Sequence, residues 1–170
     1  MTDLLSTGSA VISPCGLYRP RLDRVLSGSG PVAAIYGVNP STADAEKNDQ
    51  TIRKDMGFGA RLGWSRIIKG NLCSFRATDV RELRTATDPI GPENDRYLEE
   101  IMREADVNVA AWGPSAKLPM QLRGRWREVV AIAERVGKPL YCWGIAKDGQ
   151  PRHPLMLAYD TPLVKWEIPG

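Results

Sequence analysis

Apolar positions along this chain fall into short uninterrupted runs separated by stretches of helical spacing. Residues 32–36 form one such run, closed by Gly37-Val38-Asn39-Pro40-Ser41. A continuous apolar run ended by a turn reads as a strand buried on both faces. Asp49 can cap a following helix with apolar positions Ile52, Met56 and Leu62, interrupted by Gly57 and Gly59. A second strand leads from Arg66-Ile67-Ile68 towards Asn71-Leu72-Cys73. Asp79 and Glu82 have capping-box spacing and start a short helix through Arg84. Pro92 suits the first position of a longer helix, whose Tyr97, Leu98, Ile101, Met102 and Ala105 share one face. Residues 106–113 predict a third strand and residues 140–144 a fourth. Between them Trp126, Val129, Val130, Ala133 and Val136 mark an amphipathic helix stopped by Gly137 and Pro139. The opening residues 1–29 suit peripheral strands or an irregular cap, and the proline-rich end reads as loop.

Strands alternating with helices predict an α/β fold, a three-layer α/β/α arrangement around a central four-stranded parallel sheet. Residues 1–30 are then a peripheral segment and residues 31–170 a single domain. Ligands of such sheets bind beyond the carboxyl ends of the strands, where strand order reverses. Topology alone therefore points to Asn39-Pro40-Ser41-Thr42, residues 71–78, Trp112-Gly113-Pro114-Ser115 and residues 144–153.

Composition narrows the class. The 170 residues, 42% hydrophobic and 25% charged, fit one globular domain with a real core. No apolar run approaches the roughly 20 residues of a membrane helix, and a signal peptide is not evident, so no membrane partner and a cytoplasmic location are expected. Cys15, Cys73 and Cys142 form no C-x-x-C pair, which argues against a disulfide framework, a zinc ribbon or an iron–sulfur cluster. Neither a metal nor a cofactor is expected. A net charge of +3 permits nucleic acid as a partner without requiring it.

Three polar residues stand out at the predicted strand ends. Asn39 carries an amide that can orient a water or a base edge, on a loop stiffened by Pro40 and followed by Ser41, Thr42 and Asp44. Asn71 interrupts an apolar stretch, where a bare amide is costly unless paired, and an amide can read the edge of a pyrimidine. Tight-turn capping and a satisfied core amide are the competing readings. His153, the one histidine, lies between Pro151 and Pro154 and can donate to a developing oxyanion.

These segments together resemble the uracil-DNA glycosylase superfamily. Gly37-Val38-Asn39-Pro40 looks like its first motif, whose polar third residue positions the attacking water. Asn71 matches the asparagine that reads the base, and His153-Pro154 looks like the His-Pro motif, whose histidine stabilises the departing base anion. Ser41 departs from the usual glycine or tyrosine, and Leu155-Met156-Leu157 replaces the usual serine-rich continuation. A closer resemblance is to domain-of-unknown-function family 1643, through Asn39-Pro-Ser-Thr-Ala-Asp44, Phe75-Arg-Ala-Thr-Asp79, Gly91-Pro-Glu-Asn-Asp95 and His153-Pro-Leu155.

The glycosylase resemblance implies a uracil-DNA glycosylase-like fold and hydrolysis of the N-glycosidic bond of an altered base, with DNA as partner. Asn39 and His153 are then catalytic, with Asp44 assisting as an acceptor. Asn71 reads the base, Pro40 and Ser41 flank it, and Phe75 or Trp64 stacks on it. Arg76, Lys147 and Arg152 contact phosphates, and Leu155-Met156-Leu157 is either a wedge into the duplex or core packing. A binding module without catalysis, and an enzyme acting on free nucleosides or nucleotides, are the alternatives.

Overall fold

The computed structural model describes residues 8–170. It is an α/β fold built on a mixed seven-stranded sheet. The strands are β1 (Gly8–Val11), β2 (Arg21–Val25), β3 (Val32–Gly37), β4 (Arg66–Asn71), β5 (Val107–Ala110), β6 (Leu140–Cys142) and β7 (Val164–Lys165), in the order β1-β2-β4-β3-β5-β6-β7. The expected central four-stranded parallel sheet is thus corrected. β4, β3, β5 and β6 do run parallel to their neighbours, but β2 joins β4 antiparallel, β1 joins β2, and β7 joins β6. Both flanking pieces occupy edges that would otherwise expose unpaired backbone. β7 has only two residues, both exposed, so it carries no apolar signal.

Side chains of β3 alternate between two cores. Ala34 and Tyr36 enter a cluster with Leu98, Ile101 and Met102 of α2 (Asn94–Glu104) and with Val129 and Val130 of α3 (Trp126–Val136). Ala33 and Ile35 enter another with Phe58 of α1 (Gln50–Leu62), Ile67 and Trp143. Helices therefore cover both faces of the sheet.

Helix boundaries follow local chemistry. The Asp49 side chain accepts the Ile52 N–H at 2.8 Å, and Gly63 ends α1 in the left-handed region at φ 74°. Gly59 costs helix propensity but permits close packing, since a Cβ there would lie 2.5 Å from Leu26 Cδ1. The Asp79/Glu82 capping box is formed, and it opens a 3₁₀ turn over Val80–Arg84. Pro92 is not the first helical residue. α2 begins at Asn94, because the Asn94 side chain donates to the carbonyls of Asn71 (3.0 Å) and Leu72 (3.1 Å) and so ties the helix start to the end of β4.

Candidate functional site

The loop after β3 is laced to the segment after β4. Leu72 N donates to Gly37 O at 2.9 Å, Cys73 N to Val38 O at 2.8 Å and Ala77 N to Pro40 O at 3.0 Å. The Asn39 side chain adds Nδ2 bonds to Pro40 O (2.9 Å) and Ala77 O (2.8 Å). Both amide hydrogens are thereby spent, and Oδ1 is left as an acceptor with no donor among the described residues. The loop after β6 closes the other side, where Gly113 N donates to Pro151 O at 2.8 Å and Arg152 N to Gly144 O at 3.0 Å.

Between these loops lies a cavity of about 840 Å³ at the carboxyl ends of β3, β4 and β5. β4 and β5 flank β3 on opposite sides, so this is where strand order reverses. Asn39, Asn71 and His153 all line the cavity.

Asn71 is only 3% exposed, and its Nδ2 has no hydrogen-bond partner among the described residues. Lys69 and Asn71 stand two apart on β4 and share a face. A Cβ on Gly37 would lie 2.9 Å from Asn71 Oδ1 and 3.1 Å from Lys69 Nζ, so both side chains occupy space that only a glycine leaves open. Lys69 also lines the cavity and pairs with the fully buried Asp55 of α1 at 2.8 Å. Burial raises the Asp55 carboxyl, and Lys69 opposes the shift.

His153 accepts the Leu155 N–H at Nδ1, 3.2 Å away. Burial, with repulsion from Lys69 and Lys117, lowers its pKa to about 4. At neutral pH the ring is therefore uncharged, with its proton on Nε2. Trp112 is also a lining residue, but its ring packs edge-on against Trp166 in the core, with centres 5.5 Å apart, and its Nε1 donates to Gln150 Oε1 at 2.9 Å.

Most other residues singled out from sequence lie elsewhere. Ser41 lines the cavity, whereas Pro40 is buried and does not. Trp64 belongs to the α1-side core at 3% exposure, and Phe75 packs edge-on against Tyr18 with ring centres 5.9 Å apart. Neither lines the cavity, so neither stacks in it. The Asp44 carboxylate accepts from Glu46 N (2.9 Å) and Lys47 N (2.7 Å), which hold it below the usual range and commit it to a loop turn. Arg76 donates to Gly16 O at 3.2 Å, whereas Lys147 and Arg152 are exposed outside the cavity lining.

Sequence reasoning missed Arg19 and Lys69. Arg19 is 2% exposed, lines the cavity and donates from Nη1 to Ala43 O at 2.7 Å. Among the described residues no three His, Cys, Asp or Glu side chains gather as a metal-binding group, and no helix is long and apolar enough to cross a membrane.

No curated protein and no solved structure matches the chain. The family described as "Protein of unknown function (DUF1643)" matches residues 19–155, a span holding the cavity's polar residues from Arg19 to His153, and the chain belongs to that family.

Proposed function

We propose that this protein holds a nucleobase in the cavity and hydrolyses the bond joining it to its sugar, as a uracil-DNA glycosylase-like enzyme. The observation that carries the reading is the pairing of an unsatisfied, buried Asn71 amide with an uncharged His153 in one cavity. A buried amide without a partner is costly, and a base edge supplies both the acceptor and the donor it lacks. Parallel strands with helices on both faces support a glycosylase-like three-layer arrangement. Reduced thiols such as buried Cys73 suit a cytoplasmic setting.

In this mechanism the C1′–N bond breaks and its electron pair stays on the base. Asn71 reads the base edge. His153 donates its Nε2 hydrogen towards the base oxygen as negative charge grows there. Asn39 Oδ1 accepts a hydrogen from the attacking water, whose oxygen bonds to C1′ and whose displaced proton passes to solvent. A neutral histidine suits this role, because a donor aimed at a developing anion needs no net charge of its own.

The test offers the protein DNA carrying uracil or hydroxymethyluracil, single-stranded and duplex, beside the matching free nucleosides and nucleotides. Release of free base by the native protein, abolished in Asn39→Ala and His153→Ala, is the expected outcome. No base release from any of them, where a control glycosylase works, overturns the reading. Ligand binding that changes in these variants without any turnover marks a binding module instead.

A further inference from the structure

Five charged side chains line the cavity: Arg19, Lys69, Lys117, Asp49 and Asp79. Three are already committed. Lys69 is balanced by Asp55 at 2.8 Å, Asp79 pairs with Arg81 at 2.6 Å, and the Asp49 carboxylate caps α1 at Ile52 N. Lys117 is exposed at the rim. Arg19 is different. It is 2% exposed, its Nε has no hydrogen-bond partner, and it pairs with no carboxylate among the described residues.

A buried guanidinium without an anion is expensive, since desolvation must be offset by a partner charge. Burial accordingly drags the Arg19 pKa down to about 10, against the nearby charge of Asp49. The first turn of α1 adds Gln50 and Thr51 to the same wall and carries no acidic residue.

We infer that Arg19 holds a phosphate monoester, and that the substrate is therefore a free nucleotide. This rests on the reading that Asn71 holds a base in the same cavity. Phosphates of a polymer flank an extruded nucleotide at a rim, where cations are solvated. A single cation sunk within the wall fits a terminal phosphate, which carries more charge and can enter with its base. Guanidinium presents a planar fork to phosphate oxygens, with Lys117 adding charge at the entrance. A volume of about 840 Å³ lies within the range of pockets that enclose whole small ligands, more than a base alone fills. Turnover of such a substrate is hydrolysis at C1′, yielding a free base and a sugar phosphate with phosphate unchanged.

Calorimetric titration of the full chain with ribose, ribose 5-phosphate and inorganic phosphate tests the inference without involving any base. Ribose 5-phosphate is expected to bind at least about tenfold more tightly than ribose, as charge-assisted bonds to a buried cation imply. Arg19→Gln should erase that difference, Arg19→Lys should keep part of it, and Lys117→Ala should weaken it most at low salt. Equal binding of ribose and ribose 5-phosphate by the native protein overturns the inference even if Arg19→Gln fails to fold. So does a phosphate preference that survives in a folded Arg19→Gln variant, or an oligonucleotide with no terminal phosphate that outcompetes mononucleotides. Ribose 5-phosphate binding without any binding of bases or nucleosides leaves the phosphate site standing and removes the base reading instead.

Discussion

The backbone N–H of Leu155 donates to His153 Nδ1 at 3.2 Å, and this one bond decides which nitrogen of the ring carries the proton. Protonating Nδ1 would break it and place charge beside Lys69 and Lys117. The folded-state pKa of about 4 lies below the ordinary 6.5, so the unfolded chain takes up this proton first as pH falls. The stability from an uncharged His153 is complete above pH 6.5 and is lost progressively towards pH 4. The loss should be on the order of 2 kcal/mol, discounted for the part of the ring that meets solvent. Urea melts of the native protein and His153→Gln at pH 7.5 and pH 5 check this, and the variant should show the smaller decline. Turnover should stay flat across the same window as far as this residue governs it, and His153→Ala should lose about 100- to 1,000-fold in rate.

Gly37 tests whether the Asn71 amide is placed rather than merely present. A Cβ there would meet Asn71 Oδ1 at 2.9 Å and Lys69 Nζ at 3.1 Å, both at the ends of side chains that can shift. Gly37→Ala should therefore fold with a loss of about 1–2 kcal/mol yet displace the base-reading amide. Base or nucleoside affinity is expected to fall about tenfold or more, measured beside thermal stability. Unchanged affinity in the folded variant would show that the amide is not held where base binding needs it.

The Asp55–Lys69 pair is buried at 0% and 4% side-chain exposure, so removing one partner strands the other. Asp55→Ala or Lys69→Ala should each cost about 3–5 kcal/mol, and the double variant Asp55→Leu with Lys69→Met much less than their sum. Denaturant titration of all three variants gives the coupling directly.

Much of the cavity could be read in advance because three of its walls are strand ends, and strand ends are visible as apolar runs that stop at polar residues. Asn39 and Asn71 stand where such runs stop, and His153 lies on the loop that follows the last of them. Lys69 carried a weaker mark, its spacing of two from Asn71, obscured because a lysine in an apolar run looks like a solvent-facing interruption. Arg19 had no mark in its own surroundings. It precedes β2, and only the antiparallel pairing of Leu22 with Lys69 brings the start of β2 beside the carboxyl end of β4. That pairing is a long-range contact, which local periodicity does not encode. The glycosylase resemblance implies stacking by Trp64 or Phe75, whereas packing sends the first to the α1-side core and the second against Tyr18.

Leu155, Met156 and Leu157 follow the histidine and divide sharply by environment. Leu157 is 6% exposed within the core beneath α1, Leu155 lines the cavity, and Met156 stands 90% exposed on a 3₁₀ turn. Core packing and insertion into a duplex thus make separate demands on neighbouring residues. Leu157→Ala should cost about 2–4 kcal/mol, because truncation leaves a void among large rings. Met156→Ala should stay within about 0.5 kcal/mol of the native protein, having little contact to lose. Its functional effect separates substrates: a wedge into DNA predicts a drop in turnover on duplex relative to single strands, whereas a phosphate-anchored nucleotide never meets Met156. With the free nucleotide as substrate, Met156→Ala is expected to leave nucleotide affinity unchanged, and a selective loss on duplex DNA would favour the polymer.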